Sequence, residues 1–395
     1  MTDRTFPLPD GFLWGAATAA HQVEGNNVGS DWWALEHQPA SPCVEPSGDA
    51  LDSYHRYPQD MALLAEAGLN AYRFSVEWAR VEPAPGEFSA AQLAHYRTMI
   101  DTARTLGLEP VVTLHHFTLP LWFAQRGGWL ADDAVELFAR YVRAVVPILD
   151  GVRWVVTINE PNMAAMLHGT TERASLDAAG LHGPHEGVTE TLIAAHRAAR
   201  DILRDVPGLA SGWCIANQAF HAAPGCEPER DAYQWPREDV FLAAAKGDDF
   251  VGVQAYLRTV IGADGPLPIP DDAERTLTGW EYYPPALGEA VRHTREIVGD
   301  GTPILVTENG IATADDQRRI DYTTGALEGL AAAMADGADV RGYLHWSLLD
   351  NYEWMSGYTP TFGLVAVDRK TFERTPKPSL AWLGSWAAAN ALPNG

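Results

Sequence analysis

Two apolar runs of this sequence each end on a glutamate. RWVVTINEPN delivers Asn159 and Glu160 ahead of Pro161, and PILVTENG delivers Glu308 ahead of Asn309-Gly310. A proline cannot continue a sheet ladder, so the first run stops at Glu160. Taken alone, the second run reads as one arm of a hairpin, since Asn-Gly is a strong tight-turn signal. A hairpin needs a second alternating strand, however, and IATADDQRRIDY is polar and then helix-like. Glu308 therefore closes a strand. Two strand-end carboxyls across one cleft are what glycosidic cleavage requires: the protonated one donates to the leaving oxygen, while the ionised one attacks the anomeric carbon or activates water. The blander alternative pairs each with a nearby arginine, and strand-end acids serve many chemistries.

The elements that carry these residues decide whether they meet. Eight short runs rich in β-branched and aromatic residues recur: FLWGAAT, NAYRFSV, PVVTLHH, RWVVTIN, ASGWCIA, DFVGVQA, PILVTEN and RGYLHWS. They are continuously apolar rather than alternating, as expected of strands buried on both faces of a parallel sheet. Helix-period segments such as AAQLAHYRTMIDTARTLG and DDAVELFARYVRAVVPIL lie between most of them, several ending in a glycine cap. This alternation predicts an α/β fold, a single (β/α)8 TIM barrel with residues 1–395 as one catalytic domain; a doubly wound open sheet is the alternative. Closure would bring Glu160 from the fourth strand and Glu308 from the seventh to one mouth. The loop GADGPLPIPDDAERTLTGW follows the sixth strand, where barrel enzymes place substrate loops.

Composition narrows the partners. A formal charge of −24 opposes nucleic acid or an anionic membrane surface as a partner, because each phosphate contact would meet a repulsive field. No apolar stretch approaches the ~18 residues needed to span a bilayer. The start MTDRTFPLPDGF lacks a basic region followed by an apolar run, so a cytoplasmic location is expected. Cys43, Cys214 and Cys226 fit neither a disulfide framework nor a zinc spacing. His115 and His116 are adjacent on a strand and point to opposite faces, so they do not readily share an ion. Neither a metal nor another cofactor is expected, and oligomeric state is not legible.

Longer motifs make the pattern specific. FLWGAATAAHQVEG, YHRYPQDMALLAEAGLNAYRFSVEWARVEPAPGEFS, TINEP, VTENG and GYLHWSLLDNYEW, in this order from about residue 6 to 386, resemble glycoside hydrolase family 1, the β-glucosidase family. The resemblance implies a retaining β-glycosidase for terminal non-reducing β-D-glucosides, with β-galactosides or β-fucosides as further substrates. It implies Glu160 as general acid/base and Glu308 as nucleophile, with carboxyl groups roughly 5 to 5.5 Å apart. Gln22 and Glu353 are implied at the equatorial sugar hydroxyls and Trp346 and Trp354 as apolar platform and rim. His116 and Asn159 complete the ring, Asn159 at the 2-hydroxyl. Tyr256 matches a tyrosine that contacts the nucleophile, and a cis peptide after Trp346 is implied as well. Charge then separates the two acids: an ionised Glu308 beside a cation such as Arg73 keeps Glu160 protonated by like-charge repulsion until glycosylation removes that charge. Strand parity is awkward here, because Asn159 and Glu160 can face one cleft only if the strand bends or bulges at its end.

The sequence departs from the family pattern at Phe117, where tryptophan is more frequent, and at Gln254, where asparagine is usual. Asn162 replaces an aromatic that commonly stacks on the leaving group, while Trp280 still matches a residue near that subsite. The region 163–190 is abbreviated, which predicts a more open aglycone site. DNYEWMSGYTP keeps Glu353 and contains no lysine, which opposes a phosphorylated sugar. Two alternatives share the scaffold: a transglycosylase using the same intermediate, and a silent sugar-binding protein, which retention of both carboxyls disfavours.

Overall fold

The computed structural model describes residues 5–168 and 182–394. Its eight barrel strands are β1 (Leu13–Ala17), β2 (Ala71–Ser75), β3 (Glu109–Thr113), β4 (Trp154–Asn159), β5 (Ala210–Ala222), β6 (Val251–Gly262), β7 (Ile304–Glu308) and β8 (Val340–Trp346). Each pairs in parallel with its neighbour, and β8 pairs with β1, so the sheet closes without an edge. Closure excludes the open doubly wound sheet. Every one of the eight apolar runs became a strand of this barrel.

The continuous apolar runs follow from two cores. Val111, Val156, Leu305 and Leu344 are buried in one cluster with Trp154 and Phe250, and a much larger cluster contains Val112, Val155, Val253 and Val306 together with helix residues such as Leu192 and Leu327. Alternate side chains of one strand thus go to different clusters, and both sides exclude water. Strand crowding demands glycine at Gly212, where an added Cβ would lie 2.0 Å from the Phe250 carbonyl oxygen.

The helix after β7 starts where the polar stretch predicts. Asp315 caps Asp316–Ala335 by accepting from the Gln317 and Arg318 amides, which satisfies two amides that lack intrahelical partners. This cap is why IATADDQRRIDY cannot be the return arm of a hairpin. β5 and β6 run further than their apolar cores suggest, pairing on from Ala219–Arg258 to Ala222–Ile261 after a register shift. Their outer halves alternate buried and half-exposed positions, a pattern that NQAFHA only weakly signals. Among the described residues no helix is long and apolar enough to cross a membrane.

Candidate active site

The end of β4 resolves the parity problem. Its register with β5 shifts between Val156 and Asn159, and Glu160 adopts a left-handed backbone (φ 44°, ψ 58°) immediately before the helix Pro161–Leu167. That conformation costs a non-glycine residue about 1 to 2 kcal/mol. It turns the chain so that consecutive side chains, Asn159 and Glu160, both line one cavity. Backbone bonds hold the turn from either side: the Asn159 amide donates to His115 O and the Glu160 amide to Cys214 O, each at 2.8 Å.

Glu308 ends β7 in the same cavity, under a set of donors. Arg73 of β2 is fully buried and places Nη1 2.6 Å from Glu308 Oε1, while the Tyr256 hydroxyl donates to Oε2 at 2.7 Å. Thr113 accepts from Arg73 Nε at 3.0 Å, so the guanidinium is fixed from behind. Among the described residues the Glu160 carboxyl has no such donor.

Both acids are raised above the ordinary carboxylate range, with burial as the main cause. Glu308 is drawn back by Arg73 and Tyr256, whereas Glu160 is raised further by the negative Glu308, with only Arg73 opposing. Like-charge repulsion therefore assists burial in keeping Glu160 protonated; it does not dominate. A raised folded-state pKa means that the folded chain binds the extra proton. The stability this confers is complete below the ordinary 4.5 and is lost as pH rises toward the raised value. Glu160→Gln, which copies the neutral form, is accordingly expected to flatten the fall in melting temperature between pH 5 and pH 8. Thermal melts of both proteins check this, and an equally steep fall in the variant would contradict it.

The remaining residues expected at a sugar site converge here. Gln22, His116, Trp346, Glu353 and Trp354 line the same cavity of about 870 Å³, along with Tyr256, Phe117 and Trp280. Gln22 Nε2 is tied to Asn351 Oδ1 and the Tyr352 carbonyl, and its Oε1 has no partner among the described residues. Trp346 Nε1 donates to Glu353 Oε1 at 3.3 Å. His116 lies nearly parallel to Trp346 and to Trp354, with interplanar angles of 15° and 13°. The peptide between Trp346 and Ser347 is cis, as the motif implied.

One expectation needs correction, another falls partly outside the described residues, and Gln254 does more than its substitution suggests. Asn162 is not a vacant place on the leaving-group wall: its side chain turns outward and bonds Ala216 O at 2.8 Å, Arg237 O at 2.9 Å and the Ala216 amide at 3.1 Å. Helix geometry, one residue after the left-handed turn, gives the cavity to Met163, Ala164 and Leu167 instead. Within the abbreviated region 163–190, residues 169–181 lie outside those described. Gln254, which stands where asparagine is usual, donates from Nε2 to Asn159 Oδ1 at 2.8 Å. The two histidines do diverge. His115 packs edge-on against Trp129 and Phe138 in the wall, while His116 faces the cavity. Among the described residues one group has metal-ligand spacing, Glu238, Asp239 and His293. It lies outside the cavity lining, and its atoms are engaged by Asn217, the Gln218 amide and Gln234.

A closed parallel barrel with two carboxyls of unequal environment in one pocket at the strand ends defines the class of barrel glycosidases. The family model described as Glycosyl hydrolase family 1 matches residues 4–206 and 263–392. The thermostable beta-glucosidase B of Thermobispora bispora is 34% identical, over 98% of this chain and 92% of its own. A bifunctional beta-D-glucosidase/beta-D-fucosidase of Bifidobacterium breve is 30% identical, over 96% and 97%. The crystal structure of beta-glycosidase BGL167 superposes with a TM-score of 0.90 at 45% identity, covering 98% of this chain and 99% of that one. The chain belongs to glycosyl hydrolase family 1 and is a glycoside hydrolase.

Proposed function

We propose that this enzyme hydrolyses terminal non-reducing β-D-glucosides by double displacement, with Glu308 as nucleophile and Glu160 as acid/base. The observation that carries the assignment is the asymmetry of donors. Glu308 receives a guanidinium and a phenol, which favour its anion, while Glu160 has neither and stays protonated. In the first step a Glu308 oxygen bonds to the anomeric carbon as the glycosidic bond breaks and the Glu160 proton passes to the leaving oxygen. Esterified Glu308 no longer carries charge, so Glu160, now ionised, takes a proton from water as the water oxygen displaces Glu308. Two displacements restore the β configuration. Proton NMR of the first product formed tests this: β-glucose is expected before mutarotation, and α-glucose would overturn it.

Gln22 and Glu353 are the polar partners for sugar hydroxyls, and Trp346 and Trp354 supply its apolar face. Glucose and fucose differ at C4 and C6, so a panel of aryl glycosides varied at those carbons reads which epimers the Gln22–Glu353 pair accepts. Four carboxyl residues, Asp31, Glu160, Glu308 and Glu353, line the pocket and among the described residues no lysine or arginine does, which opposes a dianionic phosphosugar. A transglycosylase using the same intermediate would shift product from glucose to the acceptor glycoside when an alcohol is added.

The outer wall supports bulky apolar aglycones. Leu35, Met163 and Leu167 line it, and Val44 and Leu277, 50% and 46% exposed, stand at the rim. Each methylene removed from water contributes up to ~0.8 kcal/mol. Octyl β-glucoside is therefore expected to show a KM at least ~10-fold below that of methyl β-glucoside, whose leaving group has nearly the same basicity. A preference for the methyl compound would count against an apolar outer site.

A further inference from the structure

We propose that Gln254 is a positioning residue that, together with Arg73, commits the Asn159 carbonyl oxygen to the barrel interior, so that this amide presents only N–H groups to His116 and the cavity.

The polarity follows from donor chemistry. A guanidinium has no acceptor, so the atom of Asn159 that meets Arg73 Nη2 is its oxygen. That same oxygen lies 2.8 Å from the Gln254 amide, where a second oxygen would be repelled, so Gln254 must offer its nitrogen. With Oδ1 taken by two donors, Asn159 Nδ2 is the atom that meets His116 Nε2, at 3.3 Å. A hydrogen on both nitrogens would clash, so Nε2 accepts and His116 keeps its proton on Nδ1, a buried nitrogen that has no partner among the described residues. Burial and the Arg73 charge hold the imidazole well below its usual pKa, which keeps it neutral. The direction of the whole line, from guanidinium to imidazole, is thus set at Arg73 and reinforced at Gln254.

Reach and cost distinguish Gln254 from filler. It sits on β6 and contacts β4, two strands away, across the position where β5 carries only Ala216. Its own Oε1 is buried and without a partner among the described residues. An orphaned buried acceptor is destabilising, so an apolar side chain of the same length would suit packing better. What glutamine adds is the donor to Asn159.

The test has two arms. In wild-type enzyme, 15N shifts of the His116 ring, assigned with His116→Gln, are expected to show the neutral Nδ1–H tautomer from pH 5 to pH 8; the Nε2–H tautomer or an imidazolium would overturn the proposal. This arm needs no turnover and stands apart from the β-glycosidase assignment. The second arm rests on that assignment and is a double-mutant cycle. Gln254→Met is expected to lower kcat/KM about tenfold with Asn159 present and less than about twofold in Asn159→Ala. An equal factor in both backgrounds would mean a merely structural role and would overturn it. If Gln254→Met does not fold, Gln254→Leu replaces it in the cycle.

Discussion

Glu308→Ala is expected to cut turnover of an activated aryl β-glucoside by about 10⁴-fold or more. The loss is large because no other group on that side of the sugar carries an anion held by Arg73 and Tyr256. Truncation also strands a buried guanidinium, which in other proteins costs ~3–5 kcal/mol, so the variant should melt lower but remain folded. The vacated space beside Arg73 suits a small anion. Azide added to Glu308→Ala is expected to attack from the Glu308 side and, as the aryloxide leaves, to give the α-glycosyl azide. Full turnover in the variant would end the assignment. Formation of the β-azide would mean that the roles of the two acids are exchanged.

Glu160→Ala should behave differently with each leaving group. Dinitrophenolate departs without a proton, so its release from the sugar is expected to slow little, whereas alkyl and sugar leaving groups should slow by ~10²- to 10⁴-fold. The second displacement also loses its base, and azide should then accelerate the reaction and yield the β-glycosyl azide, since it attacks a glycosyl-enzyme already inverted once. The alkaline limb of the pH–rate profile belongs to the Glu160 proton and should vanish with it. A uniform loss across leaving groups would show instead that Glu160 acts through structure.

These two variants separate roles that one amino-acid type cannot reveal. Both residues are glutamates at strand ends, both are raised by burial, and only the neighbours differ. Arg73 was legible as a candidate partner from YRFSV and Tyr256 from its motif, although the strand of Arg73 stands three places from that of Glu308 in the barrel. The repulsion between the acids was overvalued from sequence, since desolvation depends on the depth of a pocket that no local pattern encodes.

Asn162 and Gln254 show where sequence comparison misleads. Position 162 differs from the family pattern, and its loss of an aromatic looked consequential, yet the helix following the left-handed Glu160 turns that side chain away from substrate. Position 254 exchanges one amide side chain for a longer one, and that amide reaches Asn159 at the end of β4. Side-chain direction after an irregular strand end is set by a register shift of one residue, and the apolar periodicity on either side is the same with or without it.

The sequence by itself determined the eight strands and the two acids that end them, because continuous apolar runs, glycine caps and a strand-ending proline act through local sterics and burial; closure over an open sheet came from the pairing of β8 with β1. Only the tertiary structure shows which donors reach each acid, what meets the Asn159 amide and what lines the outer wall. Those properties arise from groups brought together across the barrel, where desolvation and donor-to-acceptor polarity depend on neighbours far away in the chain.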